Sequence, residues 1–328
     1  MNINDVAEAA GVSRGSVSNY LNNKKVSDKI KLKIEAAIKE LNYVPNSSAR
    51  DLRSKESKFV VFIIPTVWSP FFSELTYYIQ NELNNAGYKM ILCISDSDFN
   101  KEKEYIELAT SQKAAGIISI SYSQMNDFVR PGMPLVSIEK EPTGRFSMVS
   151  SDNYEGGKLA AQKLIEKGAE TLIYIGEKVI YSDAMLARKS GFVDYCSLNH
   201  VPYEVVEVAR IKDYENVKKD IMSFLEENHE RILKNKIGCF TSTDDYGYLL
   251  LKMSNSLKIN VPENLQIIGF DGGKRIINEM PIMSSIRQPV DLMAKESVQL
   301  LTKLINKETS EISRIYLPIS FYDGDTTC

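Results

Sequence analysis

Asn2-Ile3-Asn4-Asp5-Val6-Ala7-Glu8-Ala9-Ala10-Gly11-Val12-Ser13-Arg14-Gly15-Ser16-Val17-Ser18-Asn19-Tyr20-Leu21-Asn22 opens the chain as two short amphipathic segments that meet at Gly11. The first places Val6, Ala9 and Ala10 on one face, with Asn4 in position to cap its start. The second begins at Ser13, whose hydroxyl can accept one of the orphan N–H groups at a helix start. It buries Val17, Tyr20 and Leu21 and turns Arg14, Gly15, Ser16, Ser18 and Asn19 outward. Two short helices around a glycine turn form either a plain helical hairpin or a helix-turn-helix whose second helix enters the major groove of DNA. The motif alone leaves both open.

The residues that follow separate them. Ser27 caps a third helix, with Ile30, Ile34, Ala37, Ile38 and Leu41 on its buried stripe. Taken together, Asp5-Val6-Ala7, Gly11-Val12-Ser13, Val17-Ser18, Leu41-Asn42-Tyr43-Val44-Pro45-Asn46 and Ala49-Arg50-Asp51-Leu52 resemble the DNA-binding headpiece and hinge of the lac repressor (LacI) family. The resemblance is specific over residues 2–53 and continues more loosely to the C-terminus. It implies that Arg14, Gly15 and Asn19 occupy base-reading positions. Arginine can donate bidentately to guanine and asparagine pairs with adenine, whereas Gly15 has no side chain to read with. Ser13, Ser16, Ser18 and Asn22 are placed for phosphates, which fix register rather than sequence. Asn46, Ala49 and Leu52 fall in the hinge. The family's matching leucine wedges between base pairs in the minor groove, which fits the way apolar wedges kink DNA; the plain alternative packs Leu52 on the body.

Composition bounds the rest. A chain of 328 residues, 43% hydrophobic and 25% charged, is an ordinary globular protein of two or three domains. No apolar run approaches the ~20 residues of a membrane helix, and the N-terminus is not a signal peptide, so a cytoplasmic protein is expected. Cys93, Cys196, Cys239 and Cys328 have no paired spacing, and His200 and His229 stand outside any metal-ligand pattern, so neither a metal nor a cofactor is expected. Residues 1–58 hold eleven Lys/Arg against seven Asp/Glu, a net of +4 that leaves −7 on the remainder. A cationic head on an anionic body suits a DNA-binding module attached to something else.

Three regions are expected: a headpiece at 1–45, a hinge and linker at 46–58 with too little apolar surface to fold alone, and a body at 59–328. In the body, buried-strand runs such as Phe59–Ile64, Lys89–Ile94, Leu172–Ile175 and Gln266–Phe270 alternate with helical patterns such as Pro70–Ala86 and Ala184–Asn199. That alternation implies parallel sheets covered on both faces. The fold class is therefore an N-terminal all-α helix-turn-helix headpiece on an α/β two-lobed periplasmic-binding-protein-like body. One lobe takes about 59–151 and 287–314, the other about 152–286 and 315–328. Ser284–Ile286 and Ile315–Phe321 are read as the strands that recross the boundary.

Ligands of open α/β sheets bind at the carboxyl ends of the strands. The first strand runs into Trp68, Phe71 and Phe72, aromatic faces beside polar groups that suit a sugar or a flat base, although Phe71 and Phe72 can equally be helix core. By family position, Arg188 and Asp271 contact the effector, as do Ile211, Thr243 and Gln288. The plain alternatives are a surface ion pair for Arg188 and, for the neighbouring Asp244, a helix cap. Two departures from the family pattern stand out: Asp271-Gly272-Gly273 replaces a second acid, and Gly176–Asp183 lacks the arginine of purine-binding relatives, with Ser182 near that place. They tilt the expected effector from a purine toward a sugar or sugar phosphate.

The expectation is thus a homodimeric repressor on a pseudo-palindromic double-stranded operator, controlled allosterically by a small molecule. The same family offers an alternative, a global carbon regulator whose corepressor is a phosphorylated carrier protein. A solute-binding protein is disfavoured by the headpiece. No nucleophile elbow, P-loop or dinucleotide fingerprint suggests an enzyme, so no catalytic residue is expected.

Overall fold

The computed structural model describes residues 1–328 apart from 22–23, 44–56, 122–127, 141–144, 179–181 and 277–278. The chain divides into two compact units, Met1–Ser57 and Lys58–Cys328. Most of the hinge, with Asn46, Ala49 and Leu52, lies outside the described residues, as does Asn22.

The first unit contains α1 (Ile3–Ala9), α2 (Arg14–Leu21) and α3 (Asp28–Glu40). Asn2, rather than Asn4, caps α1: its side chain accepts the Asn4 N–H while Asp5 reaches back to the Asn2 N–H at 2.7 Å. This reciprocal capping box moves the helix start two residues upstream of the hydrophobic pattern's first cue. The buried face is correspondingly Val6, Ala7 and Ala10, with Ala9 exposed. Gly11 takes φ +59° with open space where a Cβ would lie, so the turn selects glycine by backbone conformation rather than by crowding. Val17, fully buried, joins Val6, Ile34 and Ala37 in one small core. The Tyr20 hydroxyl donates to Glu35 at 2.9 Å and ties α2 to α3.

The second unit holds two six-stranded sheets. One is ordered β11-β5-β4-β3-β1-β2, from β1 (Phe59–Ile64), β2 (Lys89–Ile94), β3 (Gly116–Ser119), β4 (Leu135–Ile138), β5 (Ser147–Ser151) and β11 (Arg314–Leu317). The other is ordered β12-β10-β9-β8-β6-β7, from β6 (Thr171–Glu177), β7 (Tyr203–Val208), β8 (Ile237–Thr241), β9 (Leu265–Asp271), β10 (Ser285–Arg287) and β12 (Ser320–Tyr322). Every described pairing is parallel except β10 with β12.

Helices α4 (Pro70–Asn85) and α5 (Phe99–Ser111) flank the first sheet, joined by α11 (Val290–Ile305), which arrives after β10. Separate apolar cores form on its two faces, around Phe62, Leu75 and Met293 on one and Val61, Ile63 and Ile106 on the other. The second sheet is covered by α6 (Asn153–Glu166), α7 (Asp183–Leu198), α8 (Tyr214–Glu227), the short α9 (His229–Lys234) and α10 (Asp244–Ser256). Among the described residues, no helix is long and apolar enough to cross a membrane.

The expected crossing points need correction. Ile315–Phe321 is two strands, one in each sheet, because Pro318 has no N–H to continue a ladder. Arg314–Leu317 accordingly belongs with the first lobe, and the earlier return falls after Arg287, whose strand pairs with β9.

Helices α6 and α7 cross at glycines. A Cβ on Gly157 would overlap the Arg188 carbonyl, and one on Gly191 would overlap that of Tyr154. Gly191→Ala is expected to cost about 1–3 kcal/mol of body stability through overpacking, measured by urea unfolding. An unchanged midpoint would show that the two helices part freely.

Candidate functional site

On α2, Arg14 and Asn19 are exposed, and so is Gly15 between them. Ser13 supplies the capping interaction: its Oγ accepts the Ser16 N–H at 3.1 Å and lies 3.0 Å from the Ser16 Oγ. Ser16 and Ser18 are half-buried at the edge of the same face. Arg14 and Asn19 are thus the exposed long polar side chains of α2.

Between the two lobes lies a cavity of about 620 Å³. All eight residues assigned from family position or aromatic character line it: Trp68, Phe71, Phe72, Arg188, Ile211, Thr243, Asp271 and Gln288. Trp68 is 93% exposed on the loop after β1, whereas Phe71 is buried in the first lobe's core and meets Phe72 edge-on at 5.2 Å. Both phenylalanines thus serve core and cavity wall together.

Arg188 is no surface residue. It is 4% exposed and sits 3.6 Å above the Phe270 ring. Its Nε donates to Asn153 Oδ1 at 2.8 Å and Nη1 to the Ser242 carbonyl at 2.8 Å. Two carboxylates face it, Asp271 at 3.5 Å and Glu139 at 3.6 Å. Gln288 completes the cluster by donating to Asp271 at 2.8 Å and accepting from Ser151 Oγ at 2.7 Å. The first lobe contributes Glu139, just past β4, and Glu139 also accepts from the Ser151 N–H at 2.6 Å and Asn153 Nδ2 at 2.8 Å. The guanidinium therefore joins both lobes and the segment that crosses between them.

Glu139 and Asn153 escaped the sequence reading, though one cue existed: Glu139 directly follows the buried run Leu135–Ile138, at the carboxyl end where ligands bind. Asp244 is corrected as well. Thr243 holds the N-cap position, and buried Asp244 instead accepts from Ser285 Oγ at 2.6 Å and the Gly272 N–H at 2.8 Å. Ser182 caps α7 by accepting the Met185 N–H. The departure at Asp271-Gly272-Gly273 has a geometric cause. Gly272 adopts φ +60°, and a Cβ on Gly273 would strike the Phe71 nitrogen of the opposite lobe. Glu74 on α4 closes the same contact, 2.7 Å from Arg287 and accepting the Lys274 N–H at 3.0 Å.

A model for bacterial regulatory proteins of the lacI family matches residues 2–46, and one for the periplasmic binding protein-like domain matches residues 161–327. The sucrose operon repressor of Streptococcus mutans is 33% identical, over 99% of this chain and 98% of that protein. The chain belongs to the LacI family. The ribose operon repressor of Bacillus subtilis is 32% identical over 99% of this chain and 98% of its own length. A solved LacI-type regulator from Alkaliphilus metalliredigens, complexed with D-xylulofuranose, is 29% identical with a TM-score of 0.72, covering 83% of this chain and all of that one. The helices α1–α3 are thus the DNA-binding module of a LacI-family regulator, and the two-sheet unit is its periplasmic-binding-protein-like body.

Burial, opposed by Arg188 and Gln288, pushes the Asp271 carboxyl up to about 7, and burial together with the Asp271 charge raises Asp244. Between the ordinary carboxylate value of about 4 and that raised value, the folded chain holds the Asp271 proton and the unfolded chain has lost it. Stability from this group is therefore fully present below about pH 4 and lost as pH rises through about 7. Burial raises Asp245 and Glu177 too, so Asp271→Asn should flatten the fall in unfolding free energy between pH 5 and 8 without removing it. An identical slope in urea titrations of both proteins would contradict the assignment.

Proposed function

We propose that this LacI-family regulator is a repressor whose operator affinity is set by a sugar held between the lobes. The observation that carries the reading is the buried Arg188–Asp271–Gln288 cluster in the wall of the 620 Å³ cavity. Polar groups already fixed by hydrogen bonds grip hydroxyls without further ordering, and the aromatic residues beside them offer faces to a sugar ring. The xylulofuranose complex of a relative, and the names of the sucrose and ribose operon repressors, support a sugar in preference to a base.

One headpiece offers few base contacts, so the working unit is a homodimer on a pseudo-palindrome. Exposed Ile276, Met280 and Ile282 on one stretch of the body give such a pair apolar surface to cover. Sugar binding alters the lobe contacts made by Glu139 and Arg188, and the change reaches the headpieces through 46–58. Two distinct sites and a two-state element between them are what allosteric control requires.

Selection of sites from random duplex DNA tests the DNA half. The full chain should enrich a palindrome, and Arg14→Ala should weaken binding by about 1–3 kcal/mol and relax the preference at one base pair in each half-site. Unchanged base preference would remove Arg14 from the reading positions, and no enriched site from a folded chain would sink the DNA-binding role.

A further inference from the structure

The Arg188 cluster occupies only part of the cavity wall. A second polar cluster lines it at another strand end. Glu177, the last residue of β6, has Oε2 3.4 Å from Arg210 Nε and accepts from the Tyr246 hydroxyl at 3.2 Å. That hydroxyl also lies 3.2 Å from the Ala209 carbonyl and accepts the Ile211 N–H at 3.0 Å, so one tyrosine pins both the carboxylate and the loop carrying Arg210. Tyr246 is fully buried, which fixes the arrangement before any ligand arrives.

Strand register sets the spacing between the clusters. Ile268 of β9 pairs with Phe240 of β8, and Phe240 pairs with Tyr174 of β6. Asp271 and Glu177 each lie three residues beyond that row, so they end their strands at the same level with β8 between them. Two strand spacings separate them by about 10 Å. That is the backbone spacing; in a cavity of about 620 Å³ it leaves room for two joined rings, one at each cluster.

Charge bears on what the two clusters themselves hold. Among the described residues, the two guanidiniums of the cavity wall face carboxylate: Arg188 meets Asp271 and Glu139, and Arg210 meets Glu177, while Lys140, Lys212 and Lys252 also line the cavity, Lys140 lying 3.3 Å from Asp183. A phosphate placed on either guanidinium would lie against those acids. A neutral hydroxyl suffers no such repulsion, because a carboxylate has spare lone pairs and a guanidinium spare N–H groups for it.

We propose that Glu177, Arg210 and Tyr246 form a second sugar subsite, and that the effector is a disaccharide spanning this subsite and the Arg188–Asp271–Gln288 cluster. The inference rests on the sugar reading of the cavity. Arg188 and Asp271 hold one ring, Glu177 and Arg210 hold the other, and Trp68 at the mouth presents an aromatic face.

Calorimetric titration of the full chain with sucrose, cellobiose and maltose, with glucose and fructose, and with glucose 6-phosphate tests this. At least one disaccharide should bind about tenfold or more tightly than its component monosaccharides and than the phosphate. Glu177→Gln and Arg210→Gln, each confirmed folded by a wild-type melting temperature, should weaken that disaccharide about tenfold while leaving the monosaccharide within about twofold. If one substitution prevents folding, the other still decides. A monosaccharide that binds as tightly as the disaccharide, indifferent to both substitutions, overturns the second subsite but leaves the sugar reading intact. Tightest binding of glucose 6-phosphate overturns the disaccharide and points to the lysines of the cavity wall. Failure of every saccharide to bind the folded chain overturns the sugar reading and the subsite together.

Discussion

The body is organised around one buried cation. Arg188 is withdrawn from water on a ring face and between two carboxylates, one from each lobe. Burying a charge is costly unless it is paired and hydrogen-bonded, and removing one partner leaves the others stranded. The chain meets that demand with Asn153, the Ser242 carbonyl, Asp271 and Glu139 together. Such an arrangement contributes little to stability for its area, but it makes the relative position of the lobes depend on a few polar contacts that a polyhydroxyl ligand can add to or replace.

Much of the surrounding structure serves to keep those groups in place. The glycine crossing of α6 and α7 brings the Arg188 backbone against Gly157, with no side chain between them. On the other side, Asp244 holds the Gly272 N–H, and Gly272-Gly273 lets the loop after β9 approach the start of α4. Asp271 itself adopts φ +110°, and Glu139 adopts φ +60°. Both conformations are disfavoured for residues with a Cβ and concentrate where surrounding contacts over-determine the backbone, as at binding sites.

The parts legible in the sequence were those with local periodicity or a spaced motif. The three headpiece helices and the parallel α/β alternation follow from residue spacing, and the positions of Arg188, Asp271 and Gln288 came from family resemblance; the structure gathers these three in one cavity wall. Other features were not carried by periodicity or by a spaced motif. Asn2 rather than Asn4 caps α1 because Asp5 completes the box, a choice between two equally good cap residues. Pro318 divides an otherwise continuous strand pattern between two sheets. Glu139, Glu177 and Arg210 each sit just past or at the end of a strand, where a charge reads as an ordinary solvated loop residue until the topology places those ends around one cavity.

The claim that this cluster is the sugar grip controlling DNA binding is tested most directly with Arg188→Lys, which keeps the charge and removes the planar fork. Affinity for the selected palindrome is measured by fluorescence anisotropy for wild type and variant, with and without saturating disaccharide. The account predicts that the variant, confirmed folded by its melting temperature, still binds the duplex without sugar. The sugar should shift wild-type affinity by a factor within about 5–150 and leave the variant unmoved. An equal response of the two proteins at the same sugar concentration would contradict it.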